Sequence, residues 1–117
     1  MYQVGFITTE QGDDLIVSFA IVGDFPGDVV SLTLLRTPKY EFILDTDERG
    51  VSVSWEEDED ESELLLGVER SGDRVKLNTT RREFILDVSH VDDGDLSRMR
   101  KVLGENWLRH FKEVWGG

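Results

Sequence analysis

The chain has 117 residues, no cysteine and a formal net charge of −12. This length is enough for one domain with its own core, so we expect a single domain over 1–117. Without cysteine the chain cannot form disulfides or cysteine-based zinc sites. Every apolar run is shorter than the roughly 18 residues of a membrane span, and the N-terminus lacks the basic and apolar regions of a secretory signal. These features favour a cytoplasmic protein.

The negative charge is concentrated in the first half of the chain. Residues 1–63 contain 16 acidic and 3 basic side chains, which gives −13, whereas residues 64–117 contain 9 acidic and 10 basic, which gives +1. Such a field repels nucleic-acid phosphates and anionic membranes and attracts basic molecules. We therefore expect a basic protein as partner, and neither nucleic acid nor membrane. The alternative is that the acidity only keeps the protein soluble.

The first ninety residues have the pattern of short strands separated by polar turns that contain glycine. Val51, Val53 and Trp55 alternate with serines, which is typical of a half-exposed strand. The short turn Ser71-Gly72-Asp73 between two such runs indicates a hairpin. The predicted strands are Tyr2–Thr8, Leu15–Val22, Val29–Leu35, Tyr40–Asp45, Val51–Trp55, Leu64–Arg70, Arg74–Thr79 and Arg82–Val88.

After residue 90 the apolar spacing becomes helical. Leu96, Met99, Leu103 and Trp107 recur every three or four residues, with Asp92 or Asp93 placed to cap the first turn. We expect Gly104 to end or kink this helix, and the apolar spacing that resumes beyond it favours a second helical piece. The predicted class is α+β: an antiparallel sheet of about six to eight short strands over 1–90, with a C-terminal amphipathic helix, in one or two pieces, over 91–117 and packed on one face of the sheet.

The pentapeptide EFILD occurs twice, at Glu41–Asp45 and at Glu83–Asp87. As strands, both copies place their Phe and Leu on one face. The first copy leads into a turn and another strand, whereas the second leads into a helix. Because the topology after the two copies differs, the repeat indicates two similar core strands and not a duplicated functional site.

The strongest candidate for a functional segment is the acidic strip, defined as Glu56–Glu63, in which seven of eight residues are acidic. An EF-hand is excluded because Glu63 stands where that loop requires glycine. The strip suits docking to a basic protein, with Trp55 as an anchor at its edge, and a solvated connection between strands is the alternative. The predicted partner-binding residues are Trp55, Glu56, Glu57, Asp58, Glu59, Asp60, Glu61 and Glu63. We expect neither a cofactor nor a metal.

Two further functions remain as alternatives. His90 lies close in sequence to Asp87, Asp92 and Asp95, so an enzyme with a carboxylate–histidine site is one of them. The chain has no nucleophile elbow and no glycine-rich phosphate loop to support a specific reaction. A structural homo-oligomer is the other alternative, for example a homodimer in which the acidic half of one protomer faces the basic half of the next.

One segment, YEFILDTDERGVSVSWEEDEDESELL through VERSGDRVKLNTTRREFILDVSHVDDGDL, combines strands, an acid-rich turn, an acidic insert, a hairpin and a helix in that order. In this order it resembles small acidic immunity proteins of bacterial polymorphic-toxin systems. The resemblance implies a non-enzymatic protein that binds a cognate toxin, often a basic nuclease, and blocks it. No motif transfers residue by residue, so the resemblance does not identify the toxin.

Overall fold

The computed structural model describes residues 1–23, 27–37, 43, 51–55 and 63–106, with side chains as far as Leu103. This part of the chain forms seven strands and one helix, which confirms the α+β class. The strands are β1 (Tyr2–Gln11), β2 (Leu15–Val22), β3 (Val29–Arg36), β4 (Ser52–Trp55), β5 (Leu65–Ser71), β6 (Arg74–Thr79) and β7 (Glu83–Asp87), and the helix is α1 (Asp93–Asn106).

The strands form one sheet in the order β4-β3-β2-β1-β7-β6-β5. Two antiparallel meanders, β1–β4 and β5–β7, are joined where Tyr2 and Gln3 pair in parallel with Leu86 and Asp87. The prediction of an antiparallel sheet is therefore wrong at this junction, and the sheet is mixed. The parallel pairing joins the first and last strands of the chain, and no local sequence pattern reports a contact over that separation.

The two outer strands of this order, β4 and β5, also contact each other. The backbone N–H of Val53 donates to the carbonyl of Glu63, and the N–H of Leu65 donates to the carbonyl of Val51, both at 2.8 Å. Ser52 and Leu64 form an antiparallel bridge between these bonds. The sheet is thereby closed on itself, and its inward side chains share one core.

Two β-bulges each add one residue between two buried positions of a strand. In β1 the register shifts between Val4 and Phe6, so that Val4 and Ile7, three residues apart, are both buried. In β5 the register shifts between Leu65 and Gly67, and Leu65 and Val68 are both buried. A bulge adds one residue to a strand and increases its bend and twist, which suits a sheet that must close.

The helix α1 packs against β1 and β2, and its buried side chains belong to the same core as theirs. The carbonyl of Asp92 accepts the Leu96 N–H, and Asp93 and Asp95 lie in the first turn, which confirms the predicted helix start. The helix continues through Gly104 to Asn106. In the described residues, no helix has the length and apolar character needed to cross a membrane.

The second EFILD copy forms β7, and its Phe84 and Leu86 are buried as predicted. Ile85 points outward and is 38% exposed. Of the first copy the structure describes only Ile43, which is exposed. The rest of the predicted strand Tyr40–Asp45 and the second helical piece beyond Asn106 lie outside the described residues.

Candidate functional site

The acidic strip begins directly after Trp55, whose side chain is fixed in the core. Val53 and Trp55 face inward from β4, while Ser52 and Ser54 face outward. The Trp55 ring lies 5.4 Å from the Tyr2 ring and 5.6 Å from the Phe84 ring, with edge-to-face geometry in both pairs. Only 5% of Trp55 is exposed. The ring thus joins β4 to β1 and β7 through the interior, and little of its surface is available to a partner.

The strip ends at Glu63, whose carboxylate is also buried. Glu63 is 2% exposed, and it accepts a hydrogen bond from the Thr79 hydroxyl. Its Oε2 lies 3.3 Å from Nε of Arg82, a side chain that is 27% exposed. A buried carboxylate is costly unless it is paired and hydrogen-bonded, and both requirements are met here.

Thr79 organises the turn that holds Arg82. Its hydroxyl oxygen accepts the backbone N–H of Arg81 at 3.2 Å and that of Arg82 at 3.0 Å. The Thr79 N–H donates to the Arg82 carbonyl at 2.8 Å. The tight turn between β6 and β7 thus places the Arg82 guanidinium beside Glu63.

The two ends of the strip are connected through Arg82. The guanidinium carbon lies 5.5 Å from the centroid of the Phe84 ring, which in turn contacts Trp55. A continuous set of contacts therefore runs from Trp55 through Phe84 and Arg82 to Glu63. We call these four residues and Thr79 the anchor cluster. It fixes both ends of the acidic strip to the same part of the core.

The anchor cluster divides the predicted partner-binding residues into two groups. Trp55 and Glu63 are buried and have structural contacts. The remaining members lie outside the described residues: Glu56, Glu57, Asp58, Glu59, Asp60 and Glu61. Six carboxylates thus lie between two buried ends.

Two of the three carboxylates near His90, those of Asp87 and Asp95, have hydrogen-bond or ion-pair partners elsewhere. His90 is exposed, in the turn between β7 and α1. Hydrogen bonds from the Ser89 side chain and backbone lower the pKa of the Asp87 carboxyl group, with the Ser89 N–H at 3.0 Å. Asp95 pairs with Arg98 on the helix. In the part of the chain that the structure describes, no group of three or more histidines and carboxylates is arranged to hold a metal.

A second acidic region is the turn between β1 and β2. A shallow cleft of about 280 Å³ is lined by the five residues from Glu10 to Asp14. Asp14 accepts a hydrogen bond of 2.7 Å from the Thr37 hydroxyl, which ties this turn to the end of β3. The cleft is open to solvent and is formed by a single turn. The hydrogen bond between Thr37 and Asp14 gives this turn a structural role.

Sequence reasoning did not identify Thr79, Arg82 and Phe84 as neighbours of the strip. One signal was present, since Val75, Leu77 and Thr79 alternate along β6, and alternation places Thr79 on the buried face. A buried hydroxyl requires a partner. The partner is Glu63, which lies two residues before Leu65, the residue opposite Thr79 in the β5–β6 hairpin, and the bulge in β5 obscures this register in the sequence.

Comparison of the chain with protein-family models, with curated proteins and with solved structures gives no match. The functional interpretation therefore depends on the residues and contacts described above.

Proposed function

We propose that the protein is a non-enzymatic binding module whose acidic strip docks onto a basic surface of a partner protein. The observation that carries this proposal is the anchor cluster, which fixes both ends of the strip through Trp55 and Glu63. Fixed ends reduce the conformational freedom that a binding segment must lose, and thus part of the cost of association. Six carboxylates between the two ends provide a concentrated negative charge that attracts basic surfaces.

The partner class that fits this surface is a basic protein whose function is blocked when the strip covers it. This agrees with the resemblance to immunity proteins of polymorphic-toxin systems, in which a basic toxin is neutralised. Electrostatic complementarity mainly accelerates encounter and selects the partner. The association rate should therefore fall steeply with ionic strength.

The proposal is tested by neutralising the strip and keeping its length. Six amide substitutions remove its charge without changing side-chain size: E56Q, E57Q, D58N, E59Q, D60N and E61Q. A matched control removes the same charge from exposed or half-buried positions on β5–β7 and at the start of the helix: E69Q, D73N, E83Q, D87N, D92N and D93N. Both variants have the same net charge, so only the location of the lost charge differs.

The first readout is binding to an unstructured peptide of lysine, arginine and serine at low and physiological salt. We expect the strip variant to lose most of the wild-type affinity and the control to retain most of it. Equal losses in the two variants would show that the strip has no special role. The second readout is growth of a bacterial host that expresses the protein encoded next to this gene. Wild type and control should restore growth and the strip variant should not, and failure of wild type would reject toxin neutralisation.

A further inference from the structure

The outward side of β1–β4 is almost without charge. We call the outward side of β1–β4, beginning at Phe6 in β1, the uncharged face. The pairing of the strands places six hydroxyl side chains at its centre: Thr8, Ser18, Ser31, Thr33, Ser52 and Ser54. Ser18 and Thr33 hydrogen-bond to each other at 3.2 Å. Glu10, at one end of β1, is the single charged side chain that the register places on this side of the described strands.

The outward side of β5–β7 has the opposite character. Glu69, Lys76 and Glu83 lie there, as do Arg74 and Asp87, which are directly opposite each other. Lys76 and Glu83 form an ion pair at 3.3 Å across the strands. Such charged, mutually paired side chains are typical of a sheet surface that faces water. Nearly a third of the whole chain is charged, so the lack of charge on the uncharged face does not follow from the overall composition.

Three large apolar side chains form a patch at one end of the uncharged face. Phe6 is 51% exposed, and Val22 and Val29 are each 48% exposed. Val22 and Val29 are directly opposite each other, and Phe6 is opposite Ala20, two residues before Val22 on the same side. Directly opposite and diagonal residues on adjacent strands are close enough for their side chains to make contact. We call these three residues the apolar patch.

Acidic groups border the uncharged face at both ends. Asp28 directly precedes Val29 at the patch end, and Glu10, Asp13 and Asp14 lie at the opposite end. β4 runs antiparallel to β3, with Trp55 opposite Leu32, so the chain leaves β4 in the direction of Val29. The acidic strip therefore starts at the same end of the sheet as the apolar patch.

From this arrangement we infer that the uncharged face is the centre of the docking interface and that Asp28, Glu10, Asp13 and Asp14 belong to its acidic rim. This inference rests on the proposed function. Protein interfaces typically have a core depleted of charged residues and a polar rim. The partner that fits is a basic protein in which an apolar patch is surrounded by lysine and arginine. A second copy of this chain fits less well, because both copies would bring a net charge of −12 and acidic borders together.

The test compares two peptides of equal positive charge: one with a tryptophan–leucine centre between flanking lysines, and one with a glycine–serine centre between the same lysines. The variant F6S/V22S removes the apolar patch. Its control, L66S/I85S, removes two exposed apolar residues from the other half of the sheet, where Leu66 is 59% and Ile85 is 38% exposed. Thermal unfolding of each variant confirms that it is folded before binding is measured.

We expect wild type to bind the apolar-centred peptide about tenfold more tightly than the polar-centred one, because apolar area is buried. This preference should disappear in F6S/V22S and persist in L66S/I85S, while both variants keep equal affinity for the polar-centred peptide. Amide chemical shifts in wild type should move along β1–β3 with the apolar-centred peptide.

Several results would overturn the inference. One is the same preference in F6S/V22S as in wild type. Another is a wild-type dimer in analytical ultracentrifugation that dissociates in F6S/V22S, since the face would then be occupied by a second copy. If neither peptide binds at low salt, the proposed function fails as well, whereas binding of both peptides with no preference rejects only the role of the uncharged face.

Discussion

At the scale of single residues, Glu63 and Arg82 form an ion pair in which the two partners differ in their access to water. The carboxylate is 2% exposed, whereas the arginine side chain is 27% exposed. Loss of the arginine leaves a buried negative charge without its ion-pair partner, although the hydrogen bond from the Thr79 hydroxyl remains. Loss of the carboxylate leaves an arginine that water can still reach, so the two losses should not cost the same.

We therefore expect Arg82→Met to lower the free energy of unfolding by about 3 kcal/mol, the range for breaking a buried pair. Glu63→Gln should cost only about 1 kcal/mol, as for the loss of a typical hydrogen bond. The double variant should be more stable than the sum of the two losses predicts. Urea denaturation at neutral pH measures all three values.

The pair between Lys76 and Glu83 provides the control for this series, because both of its side chains are more than 40% exposed. Lys76→Met should change stability by no more than about 0.5 kcal/mol. If Arg82→Met costs no more than Lys76→Met, the buried ion pair does not contribute to holding the strip.

For Trp55, the local sequence pattern predicts the strand and the buried side, but not the residues that the indole contacts. Alternation with Val51 and Val53 predicted a strand, and that strand is present as β4. The same alternation places Trp55 on the side of Val53, which is the buried side. The indole was nevertheless expected to be a docking anchor, because local periodicity does not reveal that Tyr2 and Phe84 lie opposite it.

At the scale of secondary-structure elements, the two bulges add a residue without changing which side chains face the core. In β5, Leu66 is the extra residue between Leu65 and Gly67, and it is exposed. Regular alternation in a strand without it would still place Leu65 and Val68 inward. Glu69, in contrast, is not an extra residue, because it lies within the regular register, opposite Lys76.

Deletion of Leu66 should therefore give a folded protein with a moderately reduced melting temperature, since the bend at the bulge is lost but the register is kept. Deletion of Glu69 should prevent stable folding, because Val68 would shift to the outward side. Circular dichroism and thermal unfolding of the two deletion variants test this. Equal stability of both variants would show that the bulge does not act in this way.

The prediction of elements from sequence was successful where the signal was local. β2 and β6 have the predicted bounds, and the helix begins at the predicted aspartates. The bulges were not predicted, because an extra residue interrupts the alternation on which the prediction depends. The parallel pairing of β1 with β7 and the closure between β4 and β5 are contacts between distant segments, which hydrophobic periodicity does not encode.

At the scale of the whole molecule, the excess of −13 within residues 1–63 disfavours the compact state through repulsion between like charges. Salt screens this repulsion, so the melting temperature should rise by several degrees between low and physiological ionic strength. The six-amide strip variant should melt at a higher temperature than wild type in low salt and respond less to added salt. A melting temperature of wild type that does not depend on salt would contradict this account.

Partner binding and stability should therefore respond to salt in opposite directions. Screening should weaken association with a basic peptide while it stabilises the isolated protein. Differential scanning fluorimetry and a binding titration on the same samples make the comparison directly.

The closed sheet has a further consequence for how the chain is held together. Residues up to Trp55 provide β1–β4, and residues from Glu63 onward provide β5–β7 and α1. The helix of the second segment packs against β1 and β2 of the first. The two segments also meet at the β1–β7 and β4–β5 pairings. Each segment thus lacks core that only the other supplies. The acidic strip is the covalent tether between two complementary fragments, and cleavage within it would leave all three of their contacts in place.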